Sequence, residues 1–226
     1  MTQLYALDLF CGAGGATKGL QQAGFHVTGI DIVRSPRYCG DVFHLAPALS
    51  CSLDWLSSAF DFIWASPPCQ AHTSLKGMHN AKHHEDLIEG TRDMLKDSGV
   101  PYVIENVVGA PLINPTMLCG TMFGLKTPGG AQLRRHRIFE ASFPLRQPPC
   151  EHDHGDVIGI YGGHYRNRGR PGGTDRGRAD FTADDGKVAM GIDWMTGNEI
   201  SQAIPPAYSK WIANEFLLSR TERNAA

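Results

Sequence analysis

The chain has 226 residues, is 42% apolar and carries a formal net charge of −2, so it can bury a full core but offers no bulk charge for holding a polyanion or a membrane surface. No apolar run approaches the roughly 20 residues of a membrane span, residues 1–10 lack the basic start of a signal peptide, and six cysteines at this length read as reduced thiols rather than a disulfide framework. The expectation is a cytoplasmic protein that needs no membrane, with a catalytic and cofactor-binding core over 1–141, a small lobe over 142–187 and a segment over 188–226 returning to the core.

Residues 4–10 form a short apolar run, followed by Cys11-Gly12-Ala13-Gly14-Gly15 and a helical stretch over 16–23. Glycines at a strand-to-helix junction let the backbone turn tightly and approach a ligand, with the helix amides pointing at it. A second strand over 27–32 holds Asp31, 19 residues after Gly12, the distance at which nucleotide-binding βαβ units commonly carry an acidic ribose ligand. By itself this pattern does not separate a nicotinamide cofactor from S-adenosylmethionine. Residues 33–59 read as irregular.

The apolar run Phe60-Asp61-Phe62-Ile63-Trp64-Ala65 ends in Ser66-Pro67-Pro68-Cys69-Gln70. Each proline fixes its own φ and removes an amide donor, so the strand stops and the thiol sits on a stiff turn. A loop expected to be mobile over 71–85 carries Lys76, Lys82 and four histidines, and a helix is expected over 85–96. A further run, Pro101-Tyr102-Val103-Ile104-Glu105-Asn106-Val107, finishes in a carboxylate. Strands alternating with helices predict a parallel sheet covered on both faces, which gathers Asp8, Asp31, Cys69 and Glu105 at one carboxyl edge. Residues 133–139 read as one strand, with Arg135 and Arg137 alternating onto the same side. Residues 164–178 carry a net charge of +4 among glycines, a composition suited to phosphate contacts. Residues 207–218 have helical spacing and should pack back on the sheet.

Taken in order, Asp8-Leu9-Phe10-Cys11-Gly12-Ala13-Gly14-Gly15, Pro67-Pro68-Cys69-Gln70, Glu105-Asn106-Val107 and Arg134-Arg135-His136-Arg137 resemble the DNA cytosine-5 methyltransferases. With His72-Thr73-Ser74-Leu75-Lys76-Gly77 after the nucleophile, the short form is similar to the compact methylases of bacteriophage genomes, whose setting is DNA methylation and restriction-modification. The resemblance implies a doubly wound, mostly parallel α/β sheet with a small irregular recognition lobe. It also implies methyl transfer from S-adenosylmethionine to carbon 5 of cytosine in double-stranded DNA by a monomer, leaving S-adenosylhomocysteine. Cys69, Glu105, Arg135 and Arg137 then match the catalytic set. Asp8, Phe10, Cys11, Gly12, Gly14, Gly15, Asp31, Ile32, Pro67 and Gln202 match the cofactor site, with the three glycines making room for the methionine portion. Gln70, Lys76, Arg134, Arg166, Arg168 and Arg170 are the implied DNA contacts. The chain departs from the family at Leu133, where glutamine is usual, and at Ser201-Gln202, which replaces glycine-asparagine. The acidic residue expected after the third strand has no clear match: Asp41 is early, Asp54 late, and the best register gives Pro47.

Carbon 5 of cytosine is a poor nucleophile, so a thiolate must first add to carbon 6 and turn the ring into an enamine, the role of Cys69. An acid near ring nitrogen 3 relieves the charge that builds up, which requires Glu105 to hold a proton near neutral pH and therefore to be largely buried. The same addition on a free pyrimidine nucleotide or with a modified sulfonium donor, a silent DNA-binding protein, and a nicotinamide oxidoreductase are the competing classes; the last leaves Cys69 idle. His72, His79, His83 and His84 could suggest a metal, but no cysteine or carboxylate spacing beside them completes a tetrahedral set. Cys150-Glu151-His152-Asp153-His154, with Cys119 as a candidate fourth ligand, is a better metal set, but the sequence alone assigns no metal.

Overall fold

A computed structural model describes residues 2–68, 86–169 and 179–225. Its strands in chain order are β1 (Leu4–Leu9), β2 (Phe25–Asp31), β3 (Val42–Leu45), β4 (Phe62–Ala65), β5 (Tyr102–Asn106), β6 (Thr116–Leu118), β7 (Gln132–Leu133), β8 (Arg137–Ala141), β9 (Val157–Tyr161) and β10 (His164–Asn167). Seven of them form one sheet in the order β3-β2-β1-β4-β5-β8-β6. From β3 to β5 every pairing is parallel; β8 alone runs the other way, antiparallel to both β5 and β6. The helices are α1 (Gly15–Gln22), α2 (Leu53–Ala59), α3 (Ile88–Ser98), α4 (Ala183–Met190), α5 (Gly197–Gln202) and α6 (Pro206–Ala225).

The central strands are apolar without interruption because both faces are covered. Ala6, Val27, Trp64, Val103 and Phe139 turn to one face and pack with Leu20 of α1 and Tyr208, Ile212 and Phe216 of α6. Leu7, Leu9, Ile30, Ile63 and Ile104 turn to the other and pack with Leu56 of α2 and Leu95 of α3. The buried Arg92–Glu140 pair, 2.8 Å apart, ties α3 to β8.

A smaller sheet, β10-β9-β7, has its own apolar cluster: Leu133, Ile158, Ile160 and Tyr165 pack with Ala189, Met190 and Ile200 of α4 and α5. It therefore draws on residues both before and after 142–187. Two other expectations change. Residues 33–59 contain β3 and α2, the latter capped by Ser52, whose side chain accepts from Trp55 N. The expected strand over 133–139 is two strands in different sheets: β7 ends at Leu133, β8 begins at Arg137, and Arg135 between them has φ +20°. No helix among the described residues is long and apolar enough to cross a membrane.

Candidate active site

In the parallel register Ala65 lies beside Leu9 on one side and Ile104 on the other, so the residues that follow leave the same edge together: Phe10, Ser66 and Glu105. Asp31 ends β2 at that edge. Asp8 is one residue further in and buried; its Oδ2 accepts from Thr17 N at 3.0 Å and Thr17 Oγ1 at 2.5 Å, while Oδ1 is buried without a partner among the described residues. Burial pushes the Asp8 carboxyl up to about 7, against the pull of its bonds from Thr17.

The glycine turn begins with Phe10 at φ +61°, an uncommon conformation for a bulky residue. Asp31 spans the turn's mouth, its Oδ2 accepting from Gly12 N at 2.9 Å and its Oδ1 from Val33 N at 3.0 Å. Beside it Ile32 and Val33 are 70% and 67% exposed, an apolar ledge next to a carboxylate. The three glycines do different work. Gly12, at φ +51°, faces open space, whereas a Cβ at Gly14 would stand 2.8 Å from Cys39 Sγ and one at Gly15 would stand 2.7 Å from Ile204 O. Gly14 and Gly15 therefore make room for the protein itself, which corrects the expectation that all three clear space for a ligand. Cys11 is buried under the turn and burial raises its thiol pKa, so it stays protonated. Gln202 is exposed at the end of α5.

Glu105 is buried at the end of β5, with Arg137 Nε 3.1 Å from its Oε1. Burial raises its pKa; Arg137, then the Ser66 hydroxyl and Arg135, oppose the shift. Ser66 Oγ in turn accepts from Trp64 Nε1 at 2.9 Å. Asn106 donates from Nδ2 to the Pro67 carbonyl at 3.0 Å and accepts from Val107 N at 2.9 Å. The chain just before Cys69 is thus fastened to the strand that carries Glu105. In the sequence Asn106 stands out only as part of the Glu105-Asn106-Val107 motif, and its place directly after the glutamate is the one sequence signal for this role.

Arg135 does not share a strand face with Arg137. Its positive φ turns the side chain the other way, into the protein, where Nε and Nη2 donate to Ala203 O at 3.0 and 2.6 Å, Nη2 to Ser201 O at 2.6 Å and Nη1 to Ile160 O at 3.1 Å. Tyr208 Oη holds the Arg135 carbonyl at 2.9 Å. The residue is a clamp between the two sheets and the segment before α6. Arg134 also bonds internally, donating from Nη2 to Asp153 O at 2.9 Å. Among the remaining implied DNA contacts, Arg166 is exposed and paired with Asp180 at 2.6 Å, and Arg168 is exposed with its guanidinium 5.5 Å from the Tyr161 ring centroid. Cys69, Gln70, Lys76 and Arg170 lie outside the described residues. Asp41 is taken by structure: its Oδ2 accepts from Val27 N at 2.8 Å and from Gln21 Nε2 at 3.1 Å.

Solved structures with the same arrangement include a protein from an E. coli prophage described as a DNA modification methyltransferase, with TM-score 0.62 and 13% identity over 97% of this chain and 100% of that one. Another is DNMT2 of Spodoptera frugiperda, with TM-score 0.61 and 13% identity over 95% and 100% of the two chains. A third is the Dnmt2 methyltransferase of S. pombe, with TM-score 0.61 and 14% identity over 96% and 99%. The chain has the fold of these methyltransferases. No family model and no curated protein matches its sequence. Within this methyltransferase fold, Asp8, Asp31, Pro67 and Glu105 occupy the carboxyl edge of the parallel strands, where open α/β sheets take their ligands. The reversed β8 brings Arg137 to that edge from the opposite direction.

Proposed function

We propose that the protein transfers a methyl group from S-adenosylmethionine to carbon 5 of cytosine in double-stranded DNA, through a covalent bond between Cys69 and carbon 6. The observation that carries this reading is the buried Glu105–Arg137 pair at 3.1 Å, one strand away from a Pro67 that Asn106 holds at 3.0 Å, two residues before Cys69. An acid kept above its ordinary pKa, and a cysteine that follows two prolines in sequence, are the groups that addition to a pyrimidine ring calls for.

The residues at the glycine turn fit the cofactor. Asp31 has two oxygens for ribose hydroxyls at the turn's mouth, Ile32 and Val33 offer uncovered apolar surface for a base, and the unpartnered Asp8 Oδ1 suits an ammonium group. When bound, S-adenosylmethionine supplies an electrophilic methyl group. Cys69 adds as the thiolate to carbon 6 of a cytosine swung out of the duplex. Glu105 gives ring nitrogen 3 a hydrogen bond or its proton as charge builds, and Arg137 fixes the carboxyl in position. Cys69 leaves as the thiolate when carbon 5, now methylated, gives up its proton to water acting as the base. Arg166 and Arg168 on the small sheet supply phosphate contacts that position the duplex without reading its sequence.

Label from S-adenosylmethionine incubated with duplex DNA is expected in 5-methylcytosine, and Cys69→Ala is expected to abolish it. Duplex containing 5-fluorocytosine should remain covalently attached to the wild type. Label on another atom, or an active alanine variant, would overturn the reading.

A further inference from the structure

Cys119, His136 and the neighbouring Cys150 and His152 come from three separated points of the chain, yet each offers a ligand atom and these four atoms all lie within 4.8 Å of one another. Cys119 Sγ is 3.2 Å and Cys150 Sγ 3.3 Å from His152 Nε2. Zinc bound by two sulfurs at about 2.3 Å and two nitrogens at about 2.0 Å in a tetrahedron needs ligand atoms roughly 3.3–3.8 Å apart. We infer that these residues form a closed Cys2His2 zinc site that staples the connection between the two sheets.

The surroundings support a structural ion. Cys119 follows β6 and is fully buried, His136 stands in the break between β7 and β8, and Cys150 and His152 lie in the stretch between β8 and β9. That stretch, 142–156, contains no helix or strand, and an irregular connection of this length inside a folded unit calls for a local tether. Two thiolates and two imidazoles leave no open position for substrate, as in structural rather than catalytic zinc centres. Arg134 sits at the same place: its Nη2 bonds Asp153 O, next to His152, and its Nε is buried without a partner among the described residues. A guanidinium cation close to two thiolates favours their charged, metal-binding form. The site holds His136 between Arg135, the inter-sheet clamp, and Arg137, the partner of Glu105. Sequence alone could not complete this set, because His136 belongs to the Arg-Arg-His-Arg motif and reads as part of a basic strand.

The test uses the full chain, purified under reducing conditions without metal-chelate chromatography and dialysed against metal-free buffer. Elemental analysis should find about one zinc per chain, and Cys150→Ser or His152→Ala should lower it about tenfold, while Cys51→Ser, in the other core, should keep it. Cobalt exchanged into the wild type should give the intense visible absorption of a tetrahedral thiolate centre, so the result does not hang on whether a variant folds. Reduced wild type that retains less than about a tenth of an equivalent of zinc after zinc addition would overturn the inference. So would a peptide map joining Cys119 to Cys150 as a disulfide in fresh protein. None of these readouts depends on methyl transfer.

Discussion

Asn106 Nδ2 reaches the carbonyl of Pro67 across 3.0 Å and so joins the strand that carries Glu105 to the segment just before Cys69. Removing it should separate activity from stability. Asn106→Ala leaves a buried carbonyl unpaired, at a cost of about 1–3 kcal/mol. The loss of methyl transfer should be larger, about 100-fold, because a misplacement of about 1 Å between reacting groups is enough for that. Comparing methyl incorporation with the denaturation midpoint checks the split; equal losses would mean that the bond only holds the fold.

Arg135 and Arg137 should respond differently to the same change. Arg135→Ala strips partners from the carbonyls of Ile160, Ser201 and Ala203 and should cost several kcal/mol, at about 1–3 kcal/mol for each carbonyl left buried. Arg137→Ala leaves Glu105 free to keep its proton, so its stability should change little while the rate falls about 100-fold or more. Thermal melting and single-turnover methyl transfer on the two variants separate the roles.

Asp8 should leave a mark on stability against pH. In the folded protein it holds its proton up to about 7, while in the unfolded chain it releases it near 3.8. The folded state therefore binds more protons across that window, and stability falls as pH rises from about 4 to about 7, by on the order of 4 kcal/mol for this group. Asp8→Asn keeps a side-chain carbonyl for Thr17 and should remove this part of the slope. Urea midpoints of wild type and variant at the two ends of the window measure the difference.

Arg166 and Arg168 should act through phosphate rather than through the reaction. Replacing either with alanine should reduce the slope of log affinity for duplex DNA against log salt by about one, equally for unrelated sequences. Methyl transfer at saturating DNA should be unchanged. Fluorescence anisotropy across a salt series is the measurement.

The first half of the sheet was legible because its signals are local. An unbroken apolar run, a glycine turn and an acidic residue at a fixed distance place β1, α1 and β2 to within two residues, and the burial of Glu105 follows from the apolar run before it. β3 was missed because it is a short edge strand with mostly exposed residues, so it lacks the apolar run that betrays its neighbours. The break at Arg135 was missed for another reason. Alternating arginines look like a strand from any local window, and what holds the turned-in side chain is a set of carbonyls 25 to 68 residues later in the chain. Gly15 shows the same limit, since its small size answers to Ile204 rather than to anything nearby in sequence.

Trp194 Nε1 bonds Ala13 O at 2.9 Å, Ser209 Oγ bonds Ala16 O at 2.8 Å, and Ile204 fills the space that Gly15 leaves. The glycine turn is thus finished by residues 181 to 193 positions further along the chain. Until those are in place the nascent polypeptide carries an incomplete edge, and a truncation ahead of Trp194 would leave this loop without its lining.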